Sequence, residues 1–517
     1  MATKPKPKPT PKAKPKASSA TKTTTPVVAP LIPAELTLTQ AYQYLARLTY
    51  GPTPAAAEEL KSMGISNWLD AQLNPSRAED PWVTSQLAPF PTLSMSMPDT
   101  IANPAFLKRR NLVMEEVVHA TIIRQIWGTS QLVETLAEFF NDYLHVASFN
   151  SADLYRARYD QDVIRANIFK TYPDMVWAAT LHPAMMRYLN LDSSSAAHPN
   201  ENYAREVMEL FTVSLTAGYS ETDVQSLAKL LTGFRFKDTD AKVTVDPRAH
   251  YAGPLNVMSY TDANAPTTDP AVITSRAEKV IRWLALQPDT AKAFARRLIR
   301  RFVMDVPDES YVGDLAMVYN ATSGSIPAVV KALVLHPMFL KSKPTKIKRP
   351  GEHLASTMRA LQPTLTRPIV GGGQIIGGYF GNSVINSFYL LLNRQGHLPF
   401  NWGFPDGYPD KAENWTTFAA QVARWNLAAD MVLNRSGANF ASVDLSSAVP
   451  ETALTSNQIV DELSQRFYGR TLTEPSRTNI TRAVDIATNA APTLKKRTTA
   501  VQTSAILLLS APDWNLR

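Results

Sequence analysis

The segment Asn200-Glu201-Asn202-Tyr203-Ala204-Arg205-Glu206-Val207-Met208-Glu209-Leu210-Phe211 carries the pattern that decides the fold. At about 100° per residue, its charged and amide side chains fall into one arc of roughly 140°; they are Glu201, Asn202, Arg205, Glu206 and Glu209. The opposite arc holds Tyr203, Val207, Leu210 and Phe211. The segment is therefore predicted to be an amphipathic helix with one packing face and one charged face, and Asn200 is its expected N-cap.

The same helical period recurs along the chain and predicts a mainly α fold. Residues 37–48, 111–127, 132–144, 289–302 and 417–433 are typical of this pattern, and Pro or Gly marks many of the turns between helices. The strand signal is weak: residues 241–245 alternate and predict at most a small β-hairpin. We expect one large multi-helical domain over residues 34–517. The long polar stretch 237–271 is a candidate functional loop and a possible point of subdivision.

Composition places the chain among globular proteins and excludes several kinds of site. The apolar fraction is 44% of 517 residues, and cysteine is absent, which excludes disulfides, thiolate metal sites and cysteine nucleophiles. No run of about 18 apolar residues occurs, so no membrane span is predicted. Residues 371–381 hold six glycines but no following Lys-Ser or Lys-Thr, so they do not form a phosphate-binding P-loop.

Most of the net charge of +8 belongs to the start of the chain. Residues 1–25 contain seven lysines and no acid, which leaves the remainder close to neutral. Residues 1–33 are predicted to be a disordered Lys/Pro-rich tail, either a solubilising spacer or a contact for an anionic polymer. No signal peptide of the usual form is recognisable in this sequence.

Several motifs, in order, resemble one bacterial family. They are Arg47-Leu48-Thr49-Tyr50-Gly51-Pro52-Thr53-Pro54 with Trp68-Leu69-Asp70-Ala71-Gln72-Leu73, His182-Pro183-Ala184-Met185, residues 200–206 with Glu209-Leu210 and Gly218-Tyr219, Leu231-Thr232-Gly233-Phe234, Lys348-Arg349-Pro350, Pro405-Asp406-Gly407-Tyr408-Pro409-Asp410 and Ser510-Ala511-Pro512-Asp513-Trp514. Together they are similar to the family catalogued as "domain of unknown function 1800". The resemblance implies an exported or cell-envelope protein and a phosphatase- or sulfatase-like protein partner, but no accepted mechanism.

The chain departs from the pattern of that family at two places. Where members tend to read Phe-Trp-x-Asn-His-Phe, residues 139–144 read Phe-Phe-Asn-Asp-Tyr-Leu, and a histidine follows only at His145. Where members tend to carry a His-Asp pair and a later Lys, the chain keeps His250 but has Tyr251 and Leu255. If those positions serve a metal or an acid–base step, this chain has altered it.

Three kinds of chemistry fit the charged face of the segment 200–211. Glu206 and Glu209 are spaced i, i+3, as carboxylate metal sites in helical bundles require, and His250, His145 or Asp142 would complete an oxygen-rich site for a divalent metal. Alternatively, two carboxylates, one with a raised pKa, would cleave a glycosidic bond by acid–base catalysis. The third reading is a solvated face with i, i+4 ion pairs from Glu201 to Arg205 and from Arg205 to Glu209.

The sequence therefore leads to two functional hypotheses. The first is an envelope-associated or secreted protein that binds or processes a polymer; its expected catalytic residues are Glu206, Glu209, Arg205, Asn202 and Glu201, and its expected metal ligands are Glu206, Glu209 and His250. The second is a non-enzymatic scaffold that docks a phosphatase- or sulfatase-like partner. Nucleic-acid binding through the basic clusters at 296–301 and 341–349 is disfavoured, because the body of the chain is near neutral and carries no nucleic-acid-binding motif.

Overall fold

The computed structural model describes residues 35–148, 152–370, 383–435, 441–488 and 493–517. The predicted tail 1–33 and the glycine-rich segment 371–381 lie outside these residues. The described part is mainly α-helical, which confirms the predicted fold class.

The helices follow one another closely along the chain. Their bounds are Leu38–Leu48 (α1), Pro54–Met63 (α2), Ile65–Gln72 (α3), Pro81–Leu87 (α4), Met97–Ala102 (α5), Pro104–Lys108 (α6), Asn111–Trp127 (α7), Gln131–Tyr143 (α8), Asp153–Arg158 (α9), Tyr172–Thr180 (α10), Pro183–Tyr188 (α11), Glu201–Glu206 (α12), Glu221–Leu230 (α13), Pro270–Ala285 (α14), Pro288–Phe302 (α15), Glu309–Ala321 (α16), Ile326–Leu335 (α17), Met338–Lys341 (α18), Pro350–Leu361 (α19), Val384–Arg394 (α20), Phe418–Val432 (α21), Ser456–Tyr468 (α22), Ser476–Thr488 (α23) and Leu494–Ser510 (α24).

Side-chain caps explain where many of these helices begin. Thr37 and Ser220 each form a capping box. The hydroxyl of the capping residue accepts from the backbone N–H of the third helical residue, and the side chain of that third residue accepts from the backbone N–H of the capping residue. The sequence Ser220-Glu221-Thr222-Asp223 predicts the second of these boxes. Proline occupies an early position of α2, α10, α14, α15 and other helices, where its missing N–H costs no helical hydrogen bond.

Three two-stranded antiparallel sheets interrupt the helices. Phe234–Phe236 (β1) pairs with Val243–Val245 (β2), which confirms the predicted hairpin, and Leu255–Val257 (β3) pairs with Tyr260–Asp262 (β4). Thr364–Leu365 (β5) pairs with Ala441–Ser442 (β6). Three of these strands lie within the predicted loop 237–271, where β3 packs against α13.

The buried apolar side chains form one cluster that runs from Leu36 to Trp514. Helix α7 lies inside it and is buried on nearly every face, because its residues between Leu112 and Ile126 are almost all buried. It contacts α4, α8, α9, α19 and α20, so elements from distant parts of the chain share this core. In the described part of the chain, no helix combines the length and apolar character needed to cross a membrane.

Candidate functional site

The segment 200–211 is a helix that widens halfway along its length. The Asn200 side chain accepts from the backbone N–H of Asn202 at 2.9 Å, so Asn200 is the N-cap, as predicted. After Glu206 the backbone becomes a π-helix over Val207–Phe211. A regular period of 3.6 residues does not anticipate this turn. Short π turns inside α-helices are frequent at functional sites.

The apolar face of the segment packs as the sequence predicted. Tyr203, Val207 and Phe211 are fully buried, and Leu210 packs against the core from a half-buried position. The Tyr203 hydroxyl donates to Thr180 Oγ1 at 2.7 Å. This face anchors the segment, so the opposite, polar face is held in a defined position.

One end of the polar face is an ordinary surface ion-pair group. Arg205 donates to Glu201 Oε2 at 3.1 Å and to Glu221 Oε2, at the start of α13, at 3.0 Å. The predicted pair between Arg205 and Glu209 is not among the ion pairs of the described residues; Glu221 takes that place. The π turn changes the spacing after Glu206, and α13 brings a second carboxylate from outside the segment. Asn202 is exposed.

The other end of the polar face is a group of carboxylates. Glu206 is half-buried, and its pKa is raised by burial and by the negative charges of Glu209 and Asp406, against a smaller opposing effect of Arg205. Within the described residues, no Lys, Arg or His forms an ion pair with Glu206 or Glu209. Tyr188 adjoins them, and its pKa is raised to about 12 by burial and by Glu206 and Asp406. We call Glu206, Glu209 and Asp406 the carboxylate cluster.

Asp406 reaches this cluster from a loop two hundred residues away, residues 402–410, between α20 and α21. The Trp402 indole N–H donates to Asp406 Oδ1 at 2.8 Å. The Trp402 ring lies 5.3 Å from the ring of Tyr408 and 6.2 Å from that of Phe404, whose side chain is 67% exposed. The loop therefore presents exposed aromatic surface beside the carboxylates.

A buried ionic network holds the other side of this loop. Arg349 donates to Asp142 Oδ2 at 2.6 Å, to Asp410 Oδ1 at 2.7 Å and to the Tyr408 carbonyl at 3.0 Å. Arg301 contacts Glu138 and Asp410 as well. We define the ionic network as Glu138, Asp142, Arg301, Asp305, Lys346, Arg349, Glu352, Asp410 and Arg517.

The network places five carboxylates against four cations, so one negative charge is in excess. Burial would raise the pKa of Glu138, but Arg301 and Arg349 outweigh it and hold that pKa at about 2. At Asp142 the balance is reversed, because burial and neighbouring carboxylates outweigh Arg349 and raise its pKa to about 6. Asp142 is therefore the carboxyl group of the network whose pKa is shifted toward neutrality.

Asp142 borders a cavity of about 190 Å³ beside the loop 402–410. Its other charged lining residues are Arg297, Arg300, Asp406 and Asp410. We call it the Asp142 cavity. Asp406 belongs to both the cavity and the carboxylate cluster, so the two are parts of one region of the surface. Tyr143 also lines the cavity, and it occupies the position where the family resemblance led us to expect a histidine.

The predicted metal ligands are not assembled into a metal site. The His250 ring is buried, with Nδ1 2.9 Å from the Thr232 carbonyl and Nε2 3.4 Å from Asn264 Oδ1. Both nitrogens of His145 also face protein oxygens, of Asn141 and Trp402. Across the described ranges, no three His, Asp or Glu side chains are grouped so that they could hold a metal ion.

The basic cluster at 341–349 is largely turned inward. Lys346, Lys348 and Arg349 are buried, and the Lys348 ammonium lies 3.8 Å from the centre of the Trp514 ring. Burial lowers the pKa of Lys348 to about 7. These side chains contact the network and the core and so do not form an exposed phosphate-binding patch.

Sequence reasoning missed four residues of this region as site candidates: Tyr188, Arg297, Arg300 and Asp406. The motif Pro405–Asp410 was recognised, but its partner was not, because nothing in the spacing indicates that Asp406 meets Glu206. Arg297 and Arg300 were seen only as part of a basic cluster. Whether a charged side chain lacks a partner of opposite charge can be recognised only in the folded structure, where its neighbours are known.

Comparison with protein families gives a match over nearly the whole chain. The family described as "Protein of unknown function (DUF1800)" matches residues 43–516. The chain belongs to this family. The resemblance drawn from the motifs is thereby confirmed. Comparisons with curated proteins and with solved structures found no match.

Proposed function

We propose that this protein binds a hydroxyl-rich polymer, such as a polysaccharide, along the carboxylate cluster and the loop 402–410, and cleaves it by acid–base catalysis. The observation that carries the proposal is that the charges of Glu209 and Asp406 act on the half-buried Glu206, that neither glutamate has an ion pair among the described residues, and that the exposed Phe404 ring lies on the same loop as Asp406. Ligand hydroxyls supply the hydrogen-bond donors that such carboxylates lack.

The pKa shift of Glu206 supports the role of proton donor. A carboxyl group whose pKa is raised keeps its proton to higher pH and is a better general acid near neutrality. Glu209, or Asp406, then serves as the second carboxyl group, which activates water or stabilises positive charge on the sugar. Glycoside hydrolysis uses two carboxyl groups in this way. The exposed Phe404 ring, beside the partly buried Trp402, offers a stacking surface for sugar rings.

The test is a screen for binding and for release of reducing ends from cellulose, xylan, polygalacturonate and peptidoglycan. We expect cleavage of at least one polymer. Glu206→Gln and Glu209→Gln should each lower kcat by about 100-fold or more with unchanged melting temperature. Glu221→Gln is the matched control, because Glu221 pairs with Arg205 on the same surface but lies outside the cluster. Full activity in both cluster variants, or no polymer bound, contradicts the proposal.

The pH profile gives a sharper test of the proton-donor role. The charge of Glu209 raises the pKa of Glu206, so Glu209→Asn should lower that pKa. The alkaline limb of kcat against pH should therefore move to lower pH in any residual activity. An alkaline limb that stays in place would assign the acid to another residue.

The scaffold hypothesis remains the alternative and makes the opposite prediction. A protein that only docks a phosphatase- or sulfatase-like partner tolerates Glu206→Gln and Glu209→Gln and loses partner capture when another surface is changed. The exported or envelope location and the binding of an anionic polymer by the tail also stay predictions.

A further inference from the structure

Helix α15 carries four arginines, and only two of them have a carboxylate partner. Arg296 donates to Glu309 at 2.7 and 3.0 Å on the surface, and Arg301 is buried in the ionic network. In the part of the chain that the structure describes, Arg297 and Arg300 form no ion pair with any Asp or Glu. Both line the Asp142 cavity, one turn apart on the same face of α15.

Neighbouring groups hold both guanidinium groups at the cavity wall. The Arg297 guanidinium lies over the Tyr143 ring, 4.2 Å from its centre, a contact that orients a cation but does not neutralise its charge. Arg300 Nε donates to the Asp305 carbonyl at 3.3 Å. Within the described residues, the terminal nitrogens of both guanidinium groups form no hydrogen bond with the protein, so their donors are available to a ligand.

The acidic groups of the opposite wall are already engaged. Asp410 is bound by Arg349 and Arg301, which hold its pKa well below the usual range despite burial. Asp142 is bound by Arg349, and Asp406 accepts the Trp402 indole N–H. Asp406 keeps its negative charge, because an indole N–H is neutral, but among the described residues no ion pair joins it, Asp142 or Asp410 to Arg297 or Arg300.

We propose that the Asp142 cavity binds an oxyanion group, a sulfate, phosphate or carboxylate, through Arg297 and Arg300. Planar guanidinium groups bind such groups with paired N–H donors. Ligand pockets for drug-sized molecules span roughly 300–1,000 Å³, so a cavity of about 190 Å³ accepts one small group rather than a whole ligand. Asp406 lines the cavity and also belongs to the carboxylate cluster, so the bound oxyanion would be a substituent of an acidic polymer. This assignment to a polymer rests on the proposed function, whereas the anion site itself does not.

Titration calorimetry with sodium sulfate, sodium phosphate and sodium galacturonate tests the site on the full chain. Ionic strength is held constant with sodium chloride, so that screening does not change between samples. We expect saturable binding of at least one of the three anions, and which one binds distinguishes a sulfated, phosphorylated or uronic ligand. The double variant Arg297→Met/Arg300→Met should weaken this affinity at least tenfold, whereas Arg296→Met should leave it within twofold.

A second readout guards against a variant that folds poorly. Binding to the native state raises the melting temperature with ligand concentration, so the anion-dependent rise in each variant is compared with its own value in chloride. No saturable binding of any anion to the wild-type chain overturns the inference, and so does equal binding by the double variant. Anion binding without cleavage of any polymer would contradict only the proposed function. Cleavage of neutral polymers without anion binding would contradict only the oxyanion site at Arg297 and Arg300.

Discussion

At the scale of single residues, the surroundings of each carboxyl group decide its chemistry. Glu138 is buried between Arg301 and Arg349, and its pKa falls to about 2. Glu116 is buried in α7 with hydrogen bonds only from the backbone and hydroxyl of Thr92, and burial raises its pKa to about 7. The pKa values of Glu138 in α8 and Glu116 in α7 thus differ by several units, because Glu138 has cations beside it and Glu116 has none in the described structure.

Glu116 gives a prediction with a defined sign. The pKa of Glu116 is higher in the folded state than in the unfolded state. Its contribution to the free energy of unfolding is therefore fully present below pH 4.5 and is lost as the pH rises through about 7. The shift corresponds to roughly 3 kcal/mol. Glu116→Gln, which keeps the acceptor for Thr92, should therefore stabilise the protein by about 1–3 kcal/mol at pH 8.5 and much less at pH 4.5. Urea unfolding at both pH values measures this.

The control for Glu116 is Glu58→Gln, an exposed change that removes an i, i+3 pair with Lys61. It should alter the free energy of unfolding by less than about 0.5 kcal/mol at pH 8.5. A Glu116→Gln variant that is less stable than wild type at pH 8.5 would mean that Glu116 has a compensating partner in its ionised form.

At the scale of elements, the loop 402–410 depends on one glycine. Gly407 has φ of 70°, and a Cβ there would overlap the backbone carbonyl of Asp142. Gly407→Ala should destabilise the protein by about 2 kcal/mol or more through left-handed strain and steric overlap. It should also displace Asp406 and lower polymer and anion binding together. Chemical denaturation and calorimetry measure the two effects.

Gly403→Ala is the matched control within the same loop. A Cβ at Gly403 meets nothing within 4 Å, and its φ is not in the left-handed region. The change should be neutral within about 0.5 kcal/mol. Equal effects of the two substitutions would show that the Asp142 contact does not position the loop.

The elements also show how far sequence reasoning extends. The Asn200 and Ser220 caps, the buried face of Tyr203, Val207 and Phe211, and the β1–β2 hairpin follow from local patterns and are confirmed. The π turn after Glu206 is set by tertiary packing, which a helical wheel does not contain. The effect of the Asp406 charge on Glu206 depends on where the fold places the loop 402–410, and no spacing in the chain encodes it.

At the scale of the whole molecule, the ionic network joins distant parts of the chain. Tyr50, near α1, donates its hydroxyl to Glu138 in α8, and Arg517 contacts Glu352 in α19. Arg349 lies at the centre, with three carboxylates and one carbonyl around it. Three of the family motifs therefore contribute to this network, through Tyr50 of 47–52, Arg349 of 348–350 and Asp410 of 405–410.

Arg349→Met should destabilise the protein strongly, because it leaves buried carboxylates without their cation. The expected loss is about 3–5 kcal/mol, measured by urea unfolding at pH 7. Arg477→Met removes a pair with Asp461 on the surface and should cost less than about 1 kcal/mol. Similar small losses for both variants would contradict a structural role for the network.

The carboxylates fall into two groups. Those of the ionic network are paired with cations, whereas the glutamates of the carboxylate cluster have no ion pair among the described residues, and we propose that they bind a ligand. A double-mutant cycle of Glu206→Gln and Asp406→Asn on the free energy of urea unfolding at pH 7 tests this most directly. We predict that each single change leaves the free energy of unfolding unchanged or raises it. The two single increases should sum to more than the increase in the double variant by a few tenths of a kcal/mol, because either change alone already removes the repulsion between Glu206 and Asp406. A loss of stability in both single variants, or strictly additive effects, would contradict the account.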